Sequence, residues 1–500
     1  MNTTASPIAD GGWRTRCLLV CAILLYACAF QGNRPIYSPD EGRYVDVALG
    51  MLDDGDWLRP MLHPEFQHWS KPPLTYWVIA GSVGVFGRNE FAARLPNALA
   101  FAGTILLLGW AGRRFLPEQS WLAALIYATF ALPPLVANVV TTDTLLTLWE
   151  TLQLTAFAAL WWSGNPDEER RARLLMWLGV GLAFLTKGPP GLLMFAGCAV
   201  FAAWDAGLTG LSRLLRWDGI AVFLVVGCGW YADAVIHDPG VLRYFLVEEV
   251  FNRIATDKMH RNAQWYGAFR VYAPTLALGM LPWLPAILAR LWNTRDRRSA
   301  PWSTAQSRLL LCCIVLPLMI FLLSRSRLPF YLLPLFAPLA LVAARLLAPM
   351  PLHSWRARSL LAVWCIALVG ARLVPAHLDI RNDDKTLADA LLRQLPRAPY
   401  EIAFVETTPR FGLRFYLNSA IERLSLPGRE PLPSAEPIDE EMSHAEGCRV
   451  LLTESADVPD LQAALQRDKV RYRRLADVRG YAVMREQAEN CSMGTMLQAH

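Results

Sequence analysis

Apolar residues in this chain come in long runs divided by short polar turns, and most runs approach the ~20 positions a helix needs to cross a bilayer. Counting them predicts about eleven spans, centred near Leu24, Leu106, Tyr127, Leu152, Leu182, Phe195, Leu224, Leu278, Val315, Leu335 and Val363. Several runs are short or contain proline, which predicts packed or tilted helices. Two regions break the pattern. Between Gln31 and Phe91 the chain is more polar, and Ser38-Pro39-Asp40-Glu41 predicts a helix start. Ser38 would be the N-cap, Pro39 the first helical residue and Glu41 the closing member of a capping box. That helix is expected to reach about Leu52 and stop before Gly55. Leu74 to Phe86 is short for a span and predicts a helix lying at the membrane interface. From about Pro375 the period changes. Tyr400–Val405 and Arg449–Leu452 predict strands, and Lys385–Gln394 and Leu461–Arg467 predict helices, giving a small α/β domain.

The expected fold class is therefore a polytopic α-helical membrane protein with a soluble appendage. The transmembrane domain would cover 1–374, with outer loops 31–91 and 237–265, and the α/β domain 375–500. Composition agrees: the chain is 54% hydrophobic and 18% charged, where a soluble domain carries about 25% charge. The net charge of +5 is small and its arginines are dispersed, which excludes a nucleic-acid-binding stripe. They read as topology signals. With the N-terminus inside, Arg113-Arg114, Arg170-Arg171-Arg173, Arg213 with Arg216, Arg290 through Arg298, and Arg356 with Arg358 all fall on the inner side. The first span, behind Arg14 and Arg16, reads as an uncleaved helix because further spans follow. Most of the ten cysteines sit in apolar runs and act as small hydrophobes. Cys448 and Cys491 stand apart in the polar tail, where an exported domain would allow them a disulfide.

Candidate chemistry concentrates on the outer side. Asp40, Arg43 and Tyr44 stand at i, i+3 and i+4, so they share one helix face. Asp40 is a candidate catalytic acid or base, and Arg43 and Tyr44 are candidate phosphate or sugar contacts; plain helix capping is the structural reading of the same residues. Lys71, in the stiff segment Lys71-Pro72-Pro73, is a candidate contact for a lipid phosphate, or a lysine snorkelling to headgroups. Asp143 opens a span as a second candidate catalytic acid, or as an N-cap. Lys187, Arg325 and Arg327 sit at outer turns against the inside bias of the other basic clusters, which points to anion binding. The second outer loop offers Glu248-Glu249, Arg253, His260 and Trp265-Tyr266, and the first offers His63 and His68. His260 with Glu41 or Asp40 is the candidate divalent-metal set, although no spacing enforces it. The chain lacks a Walker motif, a strand-linked G-x-G-x-x-G and a G-x-S-x-G, so soluble nucleotide or hydrolase chemistry has no footing.

Taken in order, these motifs resemble those of the aminoarabinose lipid A transferases and their relatives, the polyprenyl-phosphate-dependent glycosyltransferases of the GT-C superfamily. The matching stretches are Asp40-Glu41-Gly42-Arg43-Tyr44, Gly55-Asp56-Trp57, Lys71-Pro72-Pro73-Leu74-Thr75-Tyr76-Trp77, Phe86-Gly87, Arg94-Leu95-Pro96 and Thr142-Asp143-Thr144. Further on come Leu185-Thr186-Lys187-Gly188-Pro189, the Glu249/Arg253/His260/Trp265-Tyr266 cluster, Leu281-Pro282-Trp283 and Arg327-Leu328-Pro329-Phe330-Tyr331. The resemblance implies inverting transfer of a sugar from a polyprenyl-phosphate donor to lipid A or another envelope acceptor, at the periplasmic face of a bacterial inner membrane. It implies Asp40 as the site acid, Lys71 on the carrier phosphate with Tyr44 and Tyr76 nearby, and His260 in a metal site. Such relatives often carry Glu before the Lys-Pro pair, where this chain has Ser70. Protein O-mannosylation is the first alternative within the superfamily. A lipid or sugar flippase is the alternative from another class, and the lack of paired broken-helix halves argues against it.

Overall fold

The computed structural model describes the chain apart from residues 1–11, 63–67, 253–255, 257–260, 294–303, 351–353, 379, 430–431, 433–434, 443–448 and 488–500. His63, Arg253, His260, Cys448 and Cys491 lie outside the described residues, and with them the expected disulfide and the histidine of the metal set. The described chain divides into two compact units. One holds Met1–Asn33, Trp69–Ser82 and Phe91–Val374; the other holds Arg34–His68, Val83–Glu90 and Pro375–His500. The expected division at 374–375 is thus one of several crossings, and most of the first loop joins the C-terminal unit.

The first unit is helical. Each of the eleven apolar centres falls in a helix, from Leu24 in Trp13–Cys28 to Val363 in Trp355–Ala371, with Leu335 closing the 3-10 segment Pro329–Leu335. Length and apolarity together single out four helices able to cross a membrane among the described residues: Glu90–Phe115, Pro189–Leu214, Ala305–Leu323 and Pro329–Leu347. Two bent pairs, Trp217–Val226 with Gly229–His237 and Gly267–Gly279 with Leu284–Trp292, raise that to six if each is one span; the expectation that broken-helix pairs are lacking is corrected by these two, bent by 47° and 95°. The helices Thr142–Trp161 and Pro166–Lys187 are as long but carry more polar residues. The core is apolar and closely interlocked, built on Phe101, Phe157, Phe201, Met176, Leu309 and Phe336.

Ion pairs gather several of the expected inner arginines at one end of this unit. Arg114 pairs with Glu168, Arg213 with Glu169 at 3.3 Å, and Arg173 with Asp218 at 2.7 Å. Lys187 sits at the far end of the same Pro166–Lys187 helix, 14 residues from Arg173, about 21 Å at 1.5 Å each. The arginines and the exceptional lysine are therefore segregated, as the topology argument requires.

In the second unit a six-stranded sheet runs in the order β3-β2-β1-β4-β6-β5. Its strands are β1 (Glu401–Val405), β2 (Ala420–Ser425), β3 (Glu436–Pro437), β4 (Arg449–Glu454), β5 (Tyr472–Arg474) and β6 (Tyr481–Glu486). β1 to β4 are parallel, and β6 and β5 are antiparallel. Alternation along β1 sends Ile402 and Phe404 to one face, against Leu387 and Leu391 of the helix Asp384–Leu392. Ala403 and Val405 go to the other, against Leu461 and Leu465 of the helix Val458–Arg467. Both faces are covered, so β1 is buried along its whole length, as parallel strands require.

The helix carrying Asp40 belongs to this unit and spans Asp40–Asp54. It stops as expected, with Gly55 in the left-handed region at φ 72°. Its start does not follow the expected capping box. Pro39 is the N-cap, and no side chain caps the first turn. The Ser38 hydroxyl is drawn away to Asp384, 2.6 Å distant. Glu41 receives both terminal nitrogens of Arg34 at 2.7 Å, and also the Tyr37 amide. Tertiary partners have outcompeted the local cap.

Candidate functional site

In the first unit, one cavity brings together two of the basic residues singled out from the sequence, Lys71 and Lys187. Its walls include Lys71, Lys187, Tyr231, Glu249, Ser324, Ser326 and Tyr331, with Leu146, Leu193, Ile320 and Phe321 supplying apolar surface. Three separate stretches supply the charged groups. Lys71 comes from the extended segment before the Leu74–Phe86 helix, Lys187 from the last residue of Pro166–Lys187, and Glu249 from the π-helical turn Tyr244–Phe251. π turns interrupt regular helix geometry and occur often at functional sites.

Lys187 is nearly buried, with 8% of its side chain exposed, and it donates to Asp143, which is 7% exposed. The Lys187 Nζ also lies 4.4 Å from the centre of the Tyr331 ring, a cation–π contact. Asp143 is fixed from three directions. It sits in the first turn of Thr142–Trp161, its carboxylate accepts from the Thr141 hydroxyl at 2.9 Å, and Thr141 caps its amide in return. An acid at a helix N-terminus and a lysine at a helix C-terminus each lie at the favourable end of the helix dipole. The N-cap reading of Asp143 thus moves to Thr141, and the carboxylate is free to serve Lys187.

Lys71 forms a looser pair. Its Nζ donates to Glu249 at 3.2 Å and to its own neighbour's carbonyl, Ser70 O, at 2.6 Å. Beside it stands an aromatic wall: Tyr231 packs against Phe245 and Phe184 at 4.9 Å between ring centres, and Trp230 against Trp69 at 5.8 Å. The cavity therefore joins two ammonium groups, the Glu249 carboxylate and the phenols of Tyr231 and Tyr331 to an apolar floor, with Asp143 paired to Lys187. Such a surface fits a molecule with an anionic head and a hydrocarbon tail.

The other expected residues fall as follows. Tyr76 is fully buried in the first turn of Leu74–Phe86. That helix has the expected bounds. Arg325 is exposed, next to the two serines on the cavity wall. Arg327 is committed to backbone: it donates to the carbonyls of Asn262 and Gln264, both at 2.8 Å, and of Leu322 at 3.3 Å. It pins the 261–264 loop, which corrects its expected role as an anion contact. In the second unit, Arg43 pairs with Asp40 at 2.5 Å on an exposed face, while Tyr44 is buried. The three share a first turn but not one accessible face. Glu41 does not fit the expected metal set, because both its oxygens receive Arg34 in a pair 4% exposed on each side.

Two features escaped the sequence reading. Glu249 appeared only within a run of outer-loop residues, and nothing in its spacing pointed to Lys71, 178 positions earlier. Asp384 was not singled out, although it is wholly buried between Ser38 and Arg410. Burial pushes its carboxyl up to about 6, and Arg410 and Ser38 hold it down from going further. Among the described residues, metal-like clustering of ligand atoms occurs at Glu401, Glu422 and Glu441. Arg449 lies among them, at 2.6 Å from Glu401 and in contact with Glu441, so the cluster already has its cation.

Known proteins match both halves of this description. The family described as dolichyl-phosphate-mannose-protein mannosyltransferase matches residues 70–230, the stretch that contains Lys71, Asp143 and Lys187. An undecaprenyl phosphate-alpha-4-amino-4-deoxy-L-arabinose arabinosyl transferase 2 of Pseudomonas fluorescens is 33% identical over 342 residues, 66% of this chain and 55% of that one. A corresponding transferase of Pseudomonas aeruginosa is 33% identical over 342 residues, covering 59% of its length. The chain thus spans somewhat over half the length of these curated relatives. The fold matches the crystal structure of ArnT from Cupriavidus metallidurans bound to undecaprenyl phosphate, with a TM-score of 0.76 over 96% of this chain and 99% of that one, at 20% identity. The apo form of the same protein gives 0.74. At that identity the match establishes the fold.

Proposed function

We propose that this chain, an aminoarabinose lipid A transferase-like protein of the GT-C fold, is an inverting glycosyltransferase. It takes a sugar from a polyprenyl-phosphate donor and delivers it to lipid A or a related envelope glycolipid in the bacterial inner membrane. The observation that carries this reading is the cavity with two lysines, Lys71 and Lys187, over an apolar floor. In this reading the donor phosphate accepts from both ammonium groups. Glu249 holds Lys71 in place until the donor arrives, and Asp143 fixes Lys187 throughout. The acceptor oxygen attacks the anomeric carbon, the bond from that carbon to the phosphate oxygen breaks, and the carrier leaves as polyprenyl phosphate with its new charge on the lysines. Preorganised cations aimed at a departing oxyanion are the principal means available to such a site. Arg325 adds a further cation at the cavity edge. Asp40, with Arg43, takes the acceptor side, as a base for a hydroxyl or as an orienting group for a phosphate. Glu41 offers no room for a metal, and no step here requires one.

The undecaprenyl phosphate-linked donor is favoured because the curated relatives, matching over 66% of the chain, carry that donor in their names. In this reading the active face is periplasmic, which the segregation of Lys187 from the paired arginines supports. Purified protein given a panel of polyprenyl-phosphate sugars, with lipid A or a Ser/Thr peptide as acceptor, tests the reading. Transfer to lipid A that is lost in Lys71→Ala is the expected result. Transfer to the peptide alone, or full turnover in Lys71→Ala, would contradict it. Labelling of a cysteine placed at 71 or 187 from the cytoplasmic side would contradict the orientation.

A further inference from the structure

The turn leading into the Asp40 helix is held by side chains from the other end of the chain. Ser38 is buried and donates its hydroxyl to Asp384 Oδ2 at 2.6 Å. Asp384 is itself without solvent exposure, and its second oxygen accepts from Arg410 Nε at 2.6 Å. Arg410 also donates to the Arg381 carbonyl at 2.8 Å, which ties the pair to the segment ahead of the Asp384–Leu392 helix. Backbone bonds run alongside: Ser38 N to Asn382 O at 3.1 Å and Asp384 N to Ile36 O at 3.3 Å. Tyr416 Oη accepts from the Ile36 amide at 2.9 Å, and Tyr37 Oη donates to the Pro375 carbonyl at 2.6 Å.

The approach is close enough to exclude any side chain. A Cβ on Gly42 would meet the Gly412 amide nitrogen at 2.5 Å, and one on Gly412 would meet Asp384 Oδ2 at 1.9 Å. Further along the helix, Arg414 reaches Asp53 at 2.9 Å and Asp46 at 3.7 Å. All of this lies inside the second unit. A buried carboxylate and a buried guanidinium are therefore spent on one serine hydroxyl, two residues ahead of Asp40. An apolar contact would hold the turn at least as stably. What charge-assisted bonds of this kind add is a single geometry.

We propose that Asp384 and Arg410 are positioning residues for Asp40, fixing through Ser38 the turn from which the Asp40 helix begins. The proposal rests on the reading of Asp40 as the acceptor-side group. The sheet domain then acts as the mount of that group.

The test is Asp384→Asn in the full-length protein, followed by sugar-transfer kinetics and by amide hydrogen exchange. Asparagine keeps the size but cannot hold the guanidinium and the hydroxyl with charge. The expected result is a kcat lower by roughly 10- to 100-fold, the scale of a misplaced reacting group, with the donor KM changed less than about twofold. Amides of residues 36–46 should exchange faster, and those of β4 should not. Ser38→Ala should reproduce the loss, and the double variant should be no worse than either single one. Ser38→Ala also carries the test should Asp384→Asn fail to fold. A kcat within about twofold of wild type, or unchanged exchange over 36–46, overturns the proposal. If the wild-type chain transfers no sugar from any donor, the functional reading has failed, and exchange alone then decides: faster exchange supports the positioning role and unchanged exchange overturns it.

Discussion

The two lysine–carboxylate pairs of the cavity look alike on paper and differ in how the chain holds them. Lys187 and Asp143 occupy the end of one long helix and the start of another, both nearly buried, with Thr141 and the Tyr331 ring closing the remaining directions. Lys71 and Glu249 occupy a proline-stiffened strap and a π turn, and Lys71 shares its bond with the Ser70 carbonyl. The first pair is part of the scaffold and is present whether or not a ligand binds. The second is longer, at 3.2 Å, and Lys71 divides its donation between Glu249 and the Ser70 carbonyl, so an incoming phosphate can take Lys71 from Glu249. One site thus combines a fixed cation with an exchangeable one, and the two make different demands on stability and on turnover.

The largest effect should come from breaking the fixed pair. Removing Lys187 alone, or Asp143 alone, leaves a buried charge without its partner, at a cost of roughly 3–5 kcal/mol. Lys187→Met and Asp143→Leu should each lower the Tm sharply in detergent, and the double variant should recover most of the loss. Turnover should not return with it, because the cation is gone. A double variant as unstable as the singles, or one with restored turnover, breaks the division between scaffold and substrate contact.

Lys71→Ala comes next. Its pair with Glu249 is longer and slightly more exposed, so the Tm should fall less than for Lys187, while transfer should fall by roughly 10²–10³-fold, the range for losing one preorganised charge at a departing oxyanion. Kinetics with a lipid-phosphate sugar and a parallel thermal melt would separate the two. A large Tm loss would place Lys71 with the fixed pair. Glu249→Gln should act in the opposite sense. It releases Lys71 without leaving a bare charge, so the donor KM should fall on the order of a few-fold at nearly constant kcat, since a competitor for the ammonium has been removed. A rise in KM would show that Glu249 aims Lys71 and does not restrain it.

The sequence made some of this legible and hid the rest for one physical reason. Features set by neighbours in the chain were readable: the stop at Gly55, the bounds of Leu74–Phe86, the strands at 401–405 and 449–454, and the helix Val458–Arg467. Lys71, Lys187 and Asp143 stood out because each is a charge where apolar surface was expected, and all three meet the cavity or its wall pairs. What failed had strong distant competitors. Ser38 and Glu41 have the spacing of a capping box, but Asp384, 346 positions away, takes the hydroxyl, and Arg34 takes the carboxylate. Arg327 looked available because the carbonyls that consume it come from the 261–264 loop and from Leu322. Each predicted apolar centre falls in a helix, but the runs did not show the breaks, since prolines 317 and 334 sit inside continuous apolar stretches and only packing decides which of them ends a helix.

A third buried cluster sharpens the contrast, because no substrate is called on to relieve it. In the sheet, Glu401 on β1 faces Arg449 on β4 in register, Glu441 reaches the same guanidinium, and Glu422 lies close beside Glu401. Burial pushes the Glu401 carboxyl up to about 8, with Glu422 adding to the rise and Arg449 opposing it. A folded-state value above the unfolded one means that the protonated form is the one folding favours. That contribution is complete below the ordinary carboxylate range and is lost as pH rises through about 8. The sheet unit should therefore lose stability between neutral and mildly alkaline pH, seen as a falling melting temperature of the full-length protein or as faster amide exchange along β1 and β4. Glu401→Gln, which fixes the neutral form, should flatten that slope and shift stability least at acidic pH. A slope that persists in the variant would mean that the proton resides elsewhere in the cluster, on Glu422, which already shares its field.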